Sequence, residues 1–397
     1  MATNSSNQSS VEEISGNEDL LIEILSRIPV KPLIRFKFVS KQWFNLISGG
    51  RFSFYYSRRN PNHTCTALFF QHSLSTSNLS SHFDFISLDG TARCADPPFL
   101  LRLNSACLNI LQSCNGLLLC RSISQCGDSN LAYYICNPTI NRIAQLRCPN
   151  TSKLGDQSVV ALNLAFDPSK SSDYKVVCVC KVDQFDNSYW IDVYSPLIGQ
   201  WRRSVDFFTP PFDVEFERGV YWNGNIHWLS HTETTVFFDV ESECMKSLAL
   251  PPSLEGAYIG RFRYFGESHG HLHLIEIRTN CVADFDVLEM DADYVNWFVK
   301  YRVNLDVLGC EFHEMFLDGN DRFGRRFRFY AFSILSVVRG EEEEDSTLIL
   351  SIPGKVLSFN FRTKITRSLC NVVDQSDKWL PFKGYNAYQY IPSLYCI

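Results

Sequence analysis

Between residues 85 and 369 one pattern recurs: an apolar strand ending in an aromatic residue, a short polar turn, and a second strand that often reaches a proline. It reads FISLDGTARCADPP at 85–98, YICNPTINRIAQLRCP at 134–149 and VYSPLIGQWRRS at 193–204. It returns as FFDVESECMKSLALPP at 237–252, FDVLEMDADYVNWFVKYRV at 285–303 and LSFNFRTKITRSL at 357–369. The turns fall near 89, 137, 195, 239, 287 and 360, leaving gaps of about 48, 58, 44, 48 and 73 residues. Most of these approach the roughly 40–50 residues of one propeller blade. The long last gap has room for a further blade, since FRFYAFSILSVV and STLILSIPGK inside it also read as strands. A second repeated element precedes several of the turns: SCNGLLLC at 113–120, YWNGNIHWLS at 221–230 and ESHGHLHLIEI at 267–277. In each, a Gly-bearing turn that needs positive φ feeds an apolar strand. A pair of β-sandwiches is the rival architecture, and the repeat spacing favours a propeller.

The first fifty residues have a different texture. Leu20, Leu21, Ile24, Leu25 and Ile28 recur at i, i+1, i+4, i+5 and i+8, one face of a helix. Pro29 stops it, and Pro32 suits the opening turn of a second helix carrying Leu33, Phe36 and Val39. Ser40 is placed to cap a third helix with Trp43, Leu46 and Ile47 on one side. Three such helices in about thirty residues carry more large apolar groups than they can bury, which marks a docking surface for another protein. No Asp or Glu occurs between Glu23 and Asp84, whereas Arg27, Lys31, Arg35, Lys37, Lys41, Arg51, Arg58 and Arg59 do. Such a patch steers an acidic protein partner or holds phosphate. A DNA-reading helix is disfavoured, because no exposed face rich in Arg, Asn and Gln is present. A purely structural helical cap is the other bland alternative.

Composition narrows the function classes. The 397-residue chain is 45% hydrophobic and 20% charged with a net charge of −6, a balance against a general nucleic-acid or membrane-surface role. MATNSSNQSS has no basic, apolar leader, and no 18-residue apolar run occurs. The 15 cysteines are irregularly spaced without a C-x₂-C pair, so a structural zinc site is not expected. Cys178 and Cys180 share one face of a strand. His269, His271 and His273 alternate and as a strand would also share a face, but no fourth metal ligand lies nearby; chance alternation is the simpler reading, and no metal or cofactor is called for. GEEEED at 340–345 reads as a solvated hairpin tip. No nucleophile elbow, zinc-protease motif, phosphate loop or dinucleotide fingerprint occurs, so no catalytic residue is assigned.

The run SRIPVKPLIRFKFVSKQWFNLIS resembles an F-box, the adaptor-binding motif of cullin-based ubiquitin ligases, in its plant form. Gly16-Asn17 stands where that family usually has Leu-Pro. SCNGLLLC, ICNPTINR, LAFDPSKSSDYKVVCV, IDVYSPLIGQWR, and GVYWNGNIHWLS followed by FFDVESECMKSLALP resemble the plant F-box-associated domain over roughly residues 105–390. The expected fold is therefore α+β: a small three-helix F-box, then an all-β propeller-like domain of about six to eight blades. The expected bounds are a disordered tail at 1–15, the F-box at 16–52 and the β domain at 60–397.

The resemblance implies a non-catalytic substrate receptor of a Skp–cullin–F-box ubiquitin ligase in the cytoplasm or nucleus. Its partners would be a Skp-type adaptor, the cullin complex through that adaptor, and a target protein marked for proteasomal degradation. The adaptor would be held by Leu20, Leu21, Ile24, Leu25, Ile28, Pro29, Val30, Leu33, Val39, Trp43 and Ile47. Residues that bind the target are not readable. An alternative is a lectin-like or small-molecule-binding propeller receptor, for which Trp190, Trp201, Trp222, Trp228 and Trp297 are available. A propeller hydrolase ranks third, since it needs a convergent acid or nucleophile cluster.

Overall fold

A computed structural model describes residues 17–61, 64–71, 83–89, 107–123, 132–149, 159–182, 187–230, 234–249, 251, 262–277, 284–320, 326–371 and 386–397. The three expected helices are present, two of them shorter than read: α1 (Glu18–Leu25) ends before Ile28, α2 (Val30–Phe36) ends before Val39, and α3 (Lys41–Ser48) carries Trp43, Leu46 and Ile47 as expected. Asn17 caps α1, its Oδ1 accepting from Asp19 N at 3.1 Å and Leu20 N at 3.2 Å. Helix α2 begins at Val30, before Pro32, which still lies in the first turn where its missing N–H costs nothing. Ser40 caps α3, its Oγ accepting from Trp43 N at 3.1 Å. A fourth helix, α4 (Gly50–Arg59), was not expected; it buries Phe52 and Tyr56 against the other three. The Tyr56 hydroxyl donates to the Ile28 carbonyl at 3.0 Å and so holds the turn after α1.

The strands downstream form a six-bladed propeller. The first two are β1 (Ala67–Gln71) and β2 (Phe83–Ser87). Blade 1 is β3 (Cys107–Cys114), β4 (Leu117–Ile123), β5 (Tyr133–Asn137) and β6 (Arg142–Leu146). Blade 2 is β7 (Val159–Ala165), β8 (Lys175–Lys181), β9 (Tyr189–Ser195) and β10 (Gln200–Phe208). Blade 3 is β11 (Val220–Trp222), β12 (Asn225–Trp228), β13 (Thr234–Asp239) and β14 (Cys244–Ala249). Blade 4 is β15 (Phe262–Ser268), β16 (His271–Ile277), β17 (Asp284–Met290) and β18 (Trp297–Asn304). A helix α5 (Asp306–Glu311) and a hairpin of β19 (Phe316–Asn320) and β20 (Arg326–Tyr330) follow. Blade 5 is β21 (Ser333–Val338), β22 (Thr347–Ile352), β23 (Lys355–Asn360) and β24 (Thr366–Asn371). The last strand, β25 (Asn386–Tyr390), pairs with β1, which pairs with β2, so blade 6 joins both ends of the chain.

The innermost strands neighbour one another in the closed order β25, β3, β7, β11, β15, β21 and back to β25. The long gap in the repeat thus holds α5 and the β19–β20 hairpin, while FRFY and SILSVV fall in two different sheets and add no blade. Six buried apolar clusters fill the six interfaces between neighbouring blades. Strand β8 shows why KVVCVCKV is apolar at every central position. Val176, Cys178 and Cys180 pack toward blade 1, and Val177 and Val179 toward blade 3. A strand buried on both faces has no polar alternation.

Within a blade successive strands are antiparallel, so the turns from first to second and from third to fourth strand lie on one face. The three predicted Gly turns are first-to-second turns: Asn115-Gly116, Asn223-Gly224 and His269-Gly270 all have positive φ at both residues. Third-to-fourth turns carry a left-handed residue at Asn141, Gly199, Glu243, Tyr294 and Lys364. Several open on an Asx side chain that accepts from the turn, as Asp239 does from Ser242 N at 2.9 Å and Asn360 from Thr363 N at 2.8 Å. The fifth copy turns at 291–296, beyond the expected 287, and the copy at 85–98 runs past residue 89 out of the described residues. This turn face also receives the chain from α4, because β1 is a second strand.

Candidate functional site

The helices build a core of their own. Leu21, Leu25, Val30, Leu33, Leu46, Ile47, Phe52 and Tyr56 are buried together, with Ile28 and Trp43 half-buried against them. The predicted contact residues therefore divide. Leu21, Leu25, Val30, Leu33 and Ile47 lie inside this core, where each buried side chain stabilises by about 1.5–3 kcal/mol. Leu20 (44%), Ile24 (47%) and Val39 (62%) remain exposed, as does Pro29. Phe38 (87%) and Phe44 (50%) are also exposed and were not among the predicted contacts. Phe38 lies in the turn between α2 and α3, off the Leu33, Phe36 and Val39 spacing that marked the second helix; Phe44 lies on α3, outside the Trp43, Leu46 and Ile47 set read as its apolar side.

Charge around these side chains is basic. Glu23 accepts from Arg27 Nη2 at 2.6 Å, Tyr55 OH at 3.0 Å and Arg59 Nη1 at 2.9 Å, tying α1 to α4. Hydrogen bonds from Arg27 and then Tyr55 hold its carboxyl below the usual range. Asp19 lies 3.7 Å from Arg51. With these acids engaged by neighbours, the exposed Lys31, Arg35 and Lys41 set the field that a partner meets.

The propeller's other candidates resolve into packing. Trp190, Trp222 and Trp228 are buried. The half-buried Trp201 and Trp297 occupy matching places on the outer strands of blades 2 and 4. Each donates its indole N–H to the preceding blade, at Arg147 O (2.8 Å) and Ala249 O (3.3 Å). His269 is in the turn, not on the strand, so the three histidines do not share a strand face. His271 Nδ1 and His273 Nε2 instead meet buried Glu289 at 2.9 and 3.4 Å, and burial pulls His273 below the ordinary histidine range. Among the described residues no cluster of His, Cys, Asp or Glu has the arrangement to hold a metal. The acidic run caps the β21–β22 hairpin; Glu343 pairs with Lys300 at 2.6 Å and Glu344 with Arg362. Cys178 and Cys180 lie 3.3 Å apart at sulfur, buried on one strand face as expected. Burial pushes the Cys65 thiol up to about 12 and raises Cys114, while the hydrogen bond with Cys180, and then burial, raises Cys178, so these sulfurs stay protonated. No described helix is long and apolar enough to cross a membrane.

A capped helical unit with unburied apolar groups, followed by a closed ring of six blades, five four-stranded and one three-stranded among the described residues, defines a helical module joined to a β-propeller. Residues 17–55 match the F-box domain and residues 73–267 the F-box associated beta propeller domain. F-box protein At5g07610 of Arabidopsis thaliana is 32% identical over 97% of this chain and 93% of its own length. F-box protein At5g49610 of the same plant is 27% identical over 72% of this chain and 79% of that protein. F-box/kelch-repeat protein At3g23880, also from Arabidopsis thaliana, is 27% identical over 70% and 77%. The chain belongs to the family of F-box proteins that carry an F-box-associated β-propeller.

Proposed function

We propose that this chain is the substrate-receptor subunit of a Skp–cullin–F-box ubiquitin ligase, joining a Skp-type adaptor to a target protein that is then ubiquitinated and degraded. One observation supports this most: Leu20, Ile24, Phe38, Val39 and Phe44 stay exposed on a helical unit whose own core is already filled. Exposed apolar side chains at this density have their largest gain in free energy on covering by a partner. The basic surroundings suit an acidic adaptor. In this reading Leu20, Ile24, Pro29 and Val39 touch the adaptor, Ile28 and Trp43 touch it at their open edges, and Leu21, Leu25, Val30, Leu33 and Ile47 hold the helices that present them.

The receptor contributes proximity and orientation, because ubiquitin transfer belongs to the conjugating enzyme brought by the cullin. The alternative of a glycan or metabolite receptor asks for a ring of exposed aromatics. The five tryptophans that motivated it are engaged in blade packing. Capture of a Skp-type adaptor by the whole chain tests the first reading, and a thermal-shift screen with glycans and metabolites tests the second.

A further inference from the structure

Residues 391–397 leave β25 on the turn face and enter three separate cores. Ile391 is buried between blades 5 and 6, and Leu394 is buried in the helical core beside Leu21, Leu25 and Phe52. Tyr395 packs on Phe166, ring centroids 4.6 Å apart, against the core between blades 1 and 2. Blade 1 grips the backbone of the same segment. Asn137 Nδ2 donates to Ser393 O at 3.1 Å and Tyr395 O at 2.7 Å, and Ser393 N donates to Thr139 Oγ1 at 3.1 Å. From the same turn Ile140 packs on the helical core. Lys37 of the helical unit is half-buried within electrostatic reach of Cys396 and Arg142, and burial holds its ammonium below the usual lysine range.

The covalent connection is the seven-residue stretch between Arg59 and Ala67. One chain crossing leaves a domain free to swivel unless a second contact opposes it. Leu394 and Ile140 supply that contact at a distant point of the sequence. We propose that residues 391–397 act as a strap holding the F-box helices at one orientation on the propeller, with Asn137 and Leu394 as positioning residues for ubiquitin transfer. The positioning role rests on the receptor reading above; the strap itself does not. A target held on the propeller then keeps one distance from the adaptor-bound end, the condition under which proximity accelerates transfer.

The test uses the full chain with spin labels carried by non-natural residues at Lys41 and Ser247, both exposed. Pulsed electron resonance is expected to give one narrow distance for the wild type and for Leu394→Met. The double variant Asn137→Ala, Leu394→Ala is expected to lose that single distance; an unchanged narrow distance overturns the strap. Should the double variant fail to fold, hydrogen exchange of the wild type decides. Ser393 and Tyr395 amides protected like those of β3 support the strap, and exchange as fast as free peptide overturns it. Neither readout involves an adaptor, so failure of the receptor reading shows separately, as absent adaptor capture. In the assembled ligase the double variant keeps its adaptor and spreads self-modification over more propeller lysines. An unchanged lysine pattern with a broadened distance overturns the positioning role.

Discussion

Asn137 at the end of β5 donates its side-chain amide to the carbonyl of Tyr395, 258 residues further along, at 2.7 Å. The same nitrogen serves Ser393 O, and Asn137 Oδ1 accepts from Thr139 N at 2.9 Å, so this fully buried amide uses both its ends. Asn137→Ala would leave two carbonyls without this donor and one turn N–H unpaired. The expected cost is about 2–3 kcal/mol, measured by urea unfolding, with no change in blade pairing.

Two glycines with nearly the same backbone should respond differently to alanine. Gly116 (φ +91) faces Ser393, and a β-carbon there would sit 2.4 Å from Ser393 Cβ and 2.8 Å from Ile391 O. Gly224 (φ +82) opens onto empty space. Gly224→Ala should cost about 1 kcal/mol from left-handed strain alone. Gly116→Ala should cost roughly 2–4 kcal/mol, because the segment after β25 must also move. Comparison of the two melting curves checks this.

Glu267 on β15 is half-buried, and desolvation raises its carboxyl to about 7, while the Gly270 N–H it accepts at 2.6 Å pulls the other way. Its folded value lies above the unfolded 4.5, so the folded state binds the proton more tightly. This group therefore supports folding below about pH 4.5, and that support is lost as pH rises through about 7. Glu267→Gln keeps an acceptor for Gly270 and removes the titration. It should stabilise by on the order of 2 kcal/mol at pH 8 relative to its effect at pH 4.5. Paired unfolding curves at the two pH values measure the difference.

Much of this architecture was legible because turn chemistry is local. Positive φ at Asn115-Gly116 and Asn223-Gly224 is written into the dipeptides, and the Asx residues at 137, 239 and 360 mark the outer turns. Ring closure was not legible, since pairing β25 with β1 depends on how far the other blades carry the chain round. The Gly turn read at ESHGHLHLIEI is the His269-Gly270 turn, and it takes His269 off the strand face that an unbroken strand would have given all three histidines. On α1 the period found the apolar stripe but not its division. Leu21 and Leu25 are covered while Leu20 and Ile24 are open, and the cluster that covers them includes Phe52 and Tyr56 of α4 and Leu394, none of them predicted to pack there.

The neighbours Ile24 and Leu25 give the most direct test of the account. The measurement is the affinity of a Skp-type adaptor for the whole chain, taken alongside its melting temperature. Leu25→Asp places a charge in the filled core and should unfold the helices, so adaptor loss there says little about contact. Ile24→Asp with Val39→Asp changes exposed positions only. The account predicts adaptor binding by the wild type and loss of about 100-fold or more in the double variant, near 3 kcal/mol, with the melting temperature almost unmoved. Equal affinity of the double variant and the wild type, or no binding by a folded wild type, would contradict it.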